Sequence, residues 1–198
     1  MKTALIIFVK NLSYGQVKTR LAAKLGCDQA FEIYKMLLHY TCQVTLSIKA
    51  DKFLFYAEKI ENDDWPGMIE RQVQRGDDLG NRMQNAFELL FSKSYEKVAI
   101  IGSDCLELTS SIIQRSFSEL DATDVVIGPA RDGGYYLLGL KKNSPLLFEN
   151  MEWSTSRVLE KTIRTCNENN LAYSLLELLN DIDEPEDWLK AKQDLYGQ

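Results

Sequence analysis

The first apolar block, Ala4-Leu-Ile-Ile-Phe-Val9, is unbroken and rich in β-formers, the pattern of a strand buried on both faces. A Gly-containing loop, residues 11–16, follows. Ala30, Phe31, Ile33, Tyr34, Leu37, Leu38, Thr41, Val44 and Ile48 then recur at helical spacing, with Asp28 placed as an N-cap. Residues 53–56 predict a second strand, and the tryptophan-bearing stretch 58–67 predicts a loop. Leu79, Met83, Ala86, Phe87 and Leu90 mark the next helix, and Val98-Ala-Ile-Ile101 the next strand. Thr109 is positioned to cap a helix carrying Ile112, Ile113, Phe117 and Leu120. Strands are predicted over 125–127, 135–140 and 173–178. A helix capped by Ser154 carries Val158, Leu159, Thr162, Ile163 and Cys166, and Pro185 opens the last helix.

Strand and helix alternate almost throughout, which predicts a three-layer α/β/α arrangement around a largely parallel sheet. No repeat, low-complexity tract or linker interrupts the chain, so residues 1–198 are expected to form a single domain. In such sheets ligands collect at the carboxyl ends of the strands. The loops after Val9, Ile101, Ile127 and Leu178 are therefore the places to look for chemistry.

Composition narrows the partners. The formal charge of −6 disfavours a nucleic-acid partner, whose phosphate backbone calls for a basic face. Apolar and charged contents of 45% and 26% are those of a soluble globular protein. The apolar stretch 4–9 is too short for a signal-peptide core and no run is long enough to span a membrane, so the expectation is a cytoplasmic protein without a membrane partner. Cys27, Cys42, Cys105 and Cys166 form no C-x-x-C pair and are expected to be reduced and buried. His39, the only histidine, sits mid-helix, so no Ser-His-Asp or Cys-His system can be assembled.

The chemistry-bearing residues are acidic and basic. Gly15-Gln-Val-Lys18-Thr19 only superficially resembles a P-loop, and no G-x-G-x-x-G follows the first strand. Lys10, Lys18 and Arg20 flank Gly15 just past that strand, an arrangement suited to a di- or triphosphate and equally to a solvated basic loop. Asp104 follows Ile101-Gly-Ser, so its carboxylate can project over the sheet edge; it can also serve as a turn or capping aspartate. Asp183-Glu-Pro-Glu186 reads as a capping box. If the segment is extended, however, Asp181 and Asp183 share a face while Ile182 anchors the other way. Magnesium takes one or two protein carboxylates and completes its octahedron with phosphate oxygens and water, so Asp104 and Asp183 meeting over one cation would satisfy it.

Asp132-Gly133-Gly134 is either a plain turn or a close backbone approach to a ligand, with Asp132 free to hold a hydroxyl. Tyr135 and Tyr136 should face opposite sides of their strand, leaving only one to line a pocket. Gly76-Asp-Asp-Leu-Gly-Asn-Arg82 opens a helix with Asp78 as its cap. Trp153-Ser154-Thr155 is read as cap and core.

Taken in order, Phe8-Val-Lys10, Gly15-Gln-Val-Lys18-Thr-Arg20-Leu21, Gly76 to Arg82, Gly102-Ser-Asp104, Pro129 to Tyr135, Trp153-Ser-Thr155 and Asp181-Ile-Asp183-Glu-Pro-Glu-Asp187 form a set. That set resembles the small bacterial GT-A-like transferases labelled radical-SAM/selenodomain-associated, or arsenosugar-biosynthesis, glycosyltransferases. It is more distantly similar to phospholactate and molybdenum-cofactor guanylyltransferases. The match spans nearly the whole chain. It departs from the pattern at Cys105-Leu106-Glu107, where a proline commonly follows the aspartate, and in the proline-free loop Lys10 to Tyr14.

The resemblance implies a nucleotide-diphospho-sugar-transferase fold with a mixed sheet. It implies Mg2+ or Mn2+ on Asp104 and Asp183, and phosphates near Lys18 and Arg20. The nucleotide-binding candidates are thus Lys10, Gly15, Lys18, Arg20, Gly76, Arg82, Gly133 and Gly134, with Asp104 and Asp132 as the catalytic candidates. Two activities fit. One is sugar transfer from a nucleotide-sugar to a small-molecule acceptor. The other is nucleotidyl transfer from a nucleoside triphosphate to a phosphorylated small molecule, releasing pyrophosphate. A non-catalytic nucleotide-binding protein is the third possibility, and oligomeric state is left open.

Overall fold

The computed structural model describes residues 1–196, so residues 197–198 of the domain expected over 1–198 lie outside the described residues. Seven strands form one sheet: β1 (Thr3–Val9), β2 (Asp51–Tyr56), β3 (Glu70–Val73), β4 (Lys97–Ile101), β5 (Val125–Pro129), β6 (Tyr135–Leu140) and β7 (Tyr173–Leu175). Their spatial order is β3-β2-β1-β4-β6-β5-β7. The helices are α1 (Thr19–Leu25), α2 (Cys27–Leu46), α3 (Leu79–Ser92), α4 (Ser110–Glu119), α5 (Val158–Glu168) and α6 (Pro185–Tyr196), with a 3-10 turn at Pro145–Leu147.

All neighbouring strands run parallel except around β6, which is antiparallel to both β4 and β5. The expected α/β/α fold is present, and the sheet is mixed because of this one strand. The cause is the short 130–134 connection between β5 and β6. A parallel return needs a crossover of a dozen residues or more, whereas a tight turn permits only an antiparallel partner.

Period-two burial of β1 separates two apolar layers. Leu5, Ile7 and Val9 join α2 and α4 residues such as Cys42, Ile112, Ile113 and Phe117 on one face. Ala4, Ile6 and Phe8 face the α3 and α5 layer, which contributes Met83, Phe87, Leu90 and Cys166. A third cluster ties α1, α2 and α6 together through Val17, Leu21, Tyr34, Ile182 and Trp188. That cluster matters for function because it fixes the C-terminal segment against the loop after β1.

Several features differ from expectation: Cys42, Cys105 and Cys166 are buried free thiols, but Cys27, at the exposed start of α2, is not buried. β3 was not predicted, because Glu-Arg-Gln-Val is a half-exposed edge strand with no apolar alternation. α1 carries one buried residue, Leu21, too few for a detectable helical stripe. β7 pairs only over 173–175, although Ala130 and Leu179 form a further parallel bridge. Thr109 caps α4, accepting from the Ile112 N–H at 3.3 Å, as expected. Asp28 lies inside the first turn of α2, after Gly26, and accepts a hydrogen bond from the Tyr14 hydroxyl at 2.6 Å. Ser154 sits at φ 61° and does not cap α5, whose N-cap position is Arg157.

Phe87 is fully buried in α3, stacked on Phe91 and tilted against Phe148 at centroid distances of 6.4 and 5.8 Å. Phe87→Ala is therefore expected to lower unfolding free energy by about 3–5 kcal/mol, measured by urea denaturation. A loss below about 1 kcal/mol would mean that this layer does not hold the sheet.

Candidate active site

The order β2-β1-β4 places the chain's change of direction between β1 and β4, and a cleft opens at their carboxyl ends. Its volume is about 840 Å³. The loops after β1 and β4 form its floor, α3 and the 153–158 segment one wall, and the turn after β5 and the 181–183 segment the other.

Lys18 is the centre of the floor. It is 6% exposed and adopts the left-handed conformation, φ 49° and ψ 48°, at the N-terminus of α1. Its ammonium lies 2.9 Å from Asp104 Oδ1 and 3.0 Å from Asp183 Oδ1, and donates to the Ile182 carbonyl at 2.7 Å. Burial alone pulls the Lys18 pKa down, but the carboxylates of Asp104 and Asp183 reverse this and hold it above that of an ordinary lysine. The ammonium thus hydrogen-bonds the Ile182 carbonyl and Asp183 and is ion-paired with Asp104. Lys18 is not part of a solvated basic loop; it is a buried counter-charge between the two acids that still lines the cleft.

The backbone around this bridge is tied at several points. The Ile182 N–H donates to the Asp104 carbonyl at 2.8 Å, joining the tail to the β4 loop. Ile182 itself is 2% exposed in the third apolar cluster, so Asp181 and Asp183 project the opposite way, into the cleft. The Tyr34 hydroxyl of α2 accepts from the Lys10 N–H at 2.8 Å and donates to the Lys10 carbonyl at 3.0 Å. Burial, with the charge of Asp104 adding, keeps that phenol above its usual range. Buried Asn11 accepts from the Glu58 N–H at 2.8 Å and donates to the Lys59 carbonyl at 2.7 Å, holding the loops after β1 and β2 together.

The capping alternative for Asp183 resolves by a change of residue. Asp187 Oδ2 accepts from the N–H groups of Glu184 at 2.8 Å and Asp183 at 3.2 Å, while Asn180 donates to its Oδ1 at 2.8 Å. Burial raises the pKa of Asp187, but these donors outweigh it and hold the group below the ordinary carboxylate range. With Asp187 closing the turn, the Asp183 carboxylate is left for Lys18.

Lys10, Arg20, Arg82, Asp132 and Gly134 also line the cleft. Arg20 is well exposed, with its Nε 3.8 Å from Glu184 Oε1, and Arg82 donates from Nε to the Gly76 carbonyl at 3.1 Å. Asp132, an exposed residue, accepts from the Gly134 N–H through Oδ1 at 2.8 Å.

Three expected glycines do not line the cleft. Gly15 faces open space, and Gly76 packs on the first turn of α3. Gly133 is needed for packing: at φ +88°, a Cβ there would lie 2.2 Å from the Ser156 carbonyl oxygen. The close approach is to the chain's own 153–156 segment. Trp153, Ser154 and Thr155, read from sequence as cap and core, do line the cleft. Trp153 lies directly on α3, where a Cβ at Gly80 would come within 2.1 Å of its Nε1. Tyr135 and Tyr136 both line the cleft, because it reaches around the end of β6 to both faces of the sheet.

Asp181, which the resemblance does not place on the metal, is the most perturbed acid of the cleft. Its pKa is pushed up to about 7, first by burial and then by the charges of Asp104, Asp132 and Asp183, with Lys18 opposing. One ammonium therefore does not neutralise the acids gathered here. Among the described residues no group of three or more His, Cys, Asp or Glu side chains is arranged to hold a metal by itself. Two hard carboxylates with uncompensated negative charge nonetheless fit Mg2+ or Mn2+, provided phosphate oxygens and water complete the coordination.

Sequence reasoning also missed Asn11, Tyr34, Gln74 and Ser103. Gln74 lines the cleft, and its Nε2 donates to the carbonyls of Val9 at 3.2 Å and Phe55 at 3.0 Å. The signal available was weak: Asn11, Gln74 and Ser103 are polar residues just past strand ends, common in any α/β chain, and Tyr34 reads as one more position of the α2 apolar stripe.

The fold is that of the nucleotide-diphospho-sugar transferases, with a ligand-sized cleft at the switch between β1 and β4. Residues 33–155, more than half of the chain, match the family described as "Uncharacterized protein conserved in bacteria (DUF2064)", and the chain belongs to that family. It superposes with a TM-score of 0.92 on a "putative nucleotide-diphospho-sugar transferase" from Desulfovibrio desulfuricans G20, at 29% identity, covering 100% of this chain and 90% of that one. The 4-diphosphocytidyl-2C-methyl-D-erythritol synthase of Anaerococcus prevotii DSM 20548 gives a TM-score of 0.61 at 13% identity, covering 98% and 96% of the two chains. Rv0371c of Mycobacterium tuberculosis H37Rv gives 0.53 at 10% identity, covering 96% of both. These last two likenesses show the fold alone. A search of curated proteins finds no match. No helix among the described residues is long and apolar enough to cross a membrane.

Gly133→Ala combines positive φ with a backbone clash, so it should lower unfolding free energy by about 2–4 kcal/mol. Gly134→Ala, whose added Cβ meets only the Asp132 carboxylate at 3.2 Å, should cost under about 1 kcal/mol. Equal losses in paired urea melts would remove the packing role given to Gly133.

Proposed function

We propose that this chain is a metal-dependent glycosyltransferase that takes a nucleotide-diphospho-sugar as donor and a small molecule as acceptor. The observation carrying this reading is the meeting of the Asp104 and Asp183 carboxylates, 2.9 and 3.0 Å from one ammonium, in a cleft at the β1–β4 switch. The likeness to the Desulfovibrio protein supports the substrate class, because it spans the whole chain.

Asp104 and Asp183 would hold Mg2+ or Mn2+ together with the donor's diphosphate. When bound, the metal supplies positive charge against the negative charge that accumulates on the departing nucleoside diphosphate. The exposed cations Lys10 and Arg20, with half-buried Arg82, draw the phosphates into the cleft and orient them. Asp132, its Oδ1 fixed by the Gly134 N–H, orients the acceptor hydroxyl or removes its proton through the free oxygen. Trp153 and Tyr135 enclose the opposite wall and exclude water from the reacting groups.

Nucleotidyl transfer needs much the same parts, a divalent ion, phosphate-binding cations and an acceptor site, so the product distinguishes the two reactions. With candidate nucleotide-sugars, Mg2+ or Mn2+ and a panel of small acceptors, release of nucleoside diphosphate is expected. Pyrophosphate release from triphosphates with phosphorylated small molecules would replace this reading by nucleotidyl transfer. Asp104→Asn should reduce turnover by about 10²–10³-fold or more with an unchanged circular-dichroism spectrum. Full activity in that variant would remove Asp104 from the chemistry, and chelation of the metal by EDTA should match the loss.

A further inference from the structure

Resting on the metal-binding reading of Asp104 and Asp183, we infer that Lys18 is a positioning residue that competes with the divalent cation for those carboxylates. Its ammonium already contacts one oxygen of each acid and the Ile182 carbonyl, at 2.9, 3.0 and 2.7 Å. The residue is held there: it is 6% exposed, sits in the left-handed conformation, and borders a tail segment anchored by Ile182 in the third apolar cluster.

Without this ammonium, Asp104 and Asp183 would repel across a shared space, with Asp181 in the same cleft adding to the field. With it, the acids stay together before any ligand arrives. The same charge penalises a second cation. A divalent ion binding to the free protein must take carboxylate oxygens from Lys18 and tolerate a positive neighbour. A metal arriving with a nucleotide's phosphates avoids that cost, because the phosphates offer the displaced ammonium new acceptors. Lys18 thereby makes the site weak for bare metal and strong for the metal–nucleotide pair.

The test is Mn2+ binding to the nucleotide-free protein, followed through the paramagnetic resonance signal of free Mn2+, in wild type, Lys18→Met, Lys18→Arg and Lys18→Met/Asp183→Asn. Lys18→Met should bind Mn2+ at least tenfold more tightly than wild type. Lys18→Arg, which keeps the charge, should stay within about threefold of wild type, and the double variant should lose the gain. Should Lys18→Met be unfolded without metal, added Mn2+ should restore its circular-dichroism signal, with the midpoint reporting affinity.

Affinity in Lys18→Met equal to or weaker than wild type, or failure of Mn2+ to refold it, overturns the competition. Equal tightening in the arginine variant does the same, since charge would then not be the cause. Tight binding that survives in the double variant removes Asp183 as a ligand and so overturns the metal reading beneath. Absence of Mn2+ binding in every protein overturns both.

Discussion

The site is built around a single buried positive charge. Lys18 comes from the loop after β1, Asp104 from the loop after β4, and Asp183 from the segment before α6, so one ammonium joins three distant stretches of chain. A buried lysine is costly unless its charge is matched and its three donors are filled. Here two carboxylates match the charge, and one of them together with a carbonyl accepts hydrogen bonds from the ammonium. The left-handed backbone at Lys18 is part of the arrangement, because strain of this kind persists only where the surroundings hold it.

The rest of the fold serves to bring these groups to one place. Parallel pairing of β1 with β4 in register, from Thr3 against Lys97 to Ile7 against Ile101, sets their following loops side by side. The antiparallel β6 then delivers Tyr135 and Tyr136 to the same end, because its amino end lies where its neighbours' carboxyl ends are. The tail is positioned independently by Ile182 and Trp188 in the third apolar cluster. Apolar packing thus decides where Asp181 and Asp183 point, and electrostatics acts on a geometry already fixed.

The polar groups around the bridge divide into supports and open sites. Asn11 and Tyr34 bond backbone groups, and Asp187 bonds two backbone N–H groups and the Asn180 side chain, so all three hold loops in shape. Lys10, Arg20 and Asp132 keep exposed polar ends at the cleft. This separation of rigid floor from solvated rim is what a site for a charged ligand requires, since fixed groups reorganise little when the ligand arrives.

Much was legible from residue order. Continuous apolar runs gave β1 and β4, helical spacing gave α2, α3, α4 and α5, and Gly-Ser-Asp after a strand singled out Asp104. The alternation Asp181-Ile182-Asp183 correctly indicated one buried anchor flanked by two projecting acids. What escaped was whatever depends on partners remote in sequence. The polarity of β3 and the brevity of α1 left no periodic signal, and the capping acid proved to be Asp187 because turn geometry selects among neighbouring carboxylates. Lys18 looked from its loop like a surface cation; its burial follows from Asp104 and Asp183, 86 and 165 positions away, arriving on either side of it. Local pattern reports what each segment prefers to bury or expose, whereas the charge a side chain meets is set by three-dimensional convergence.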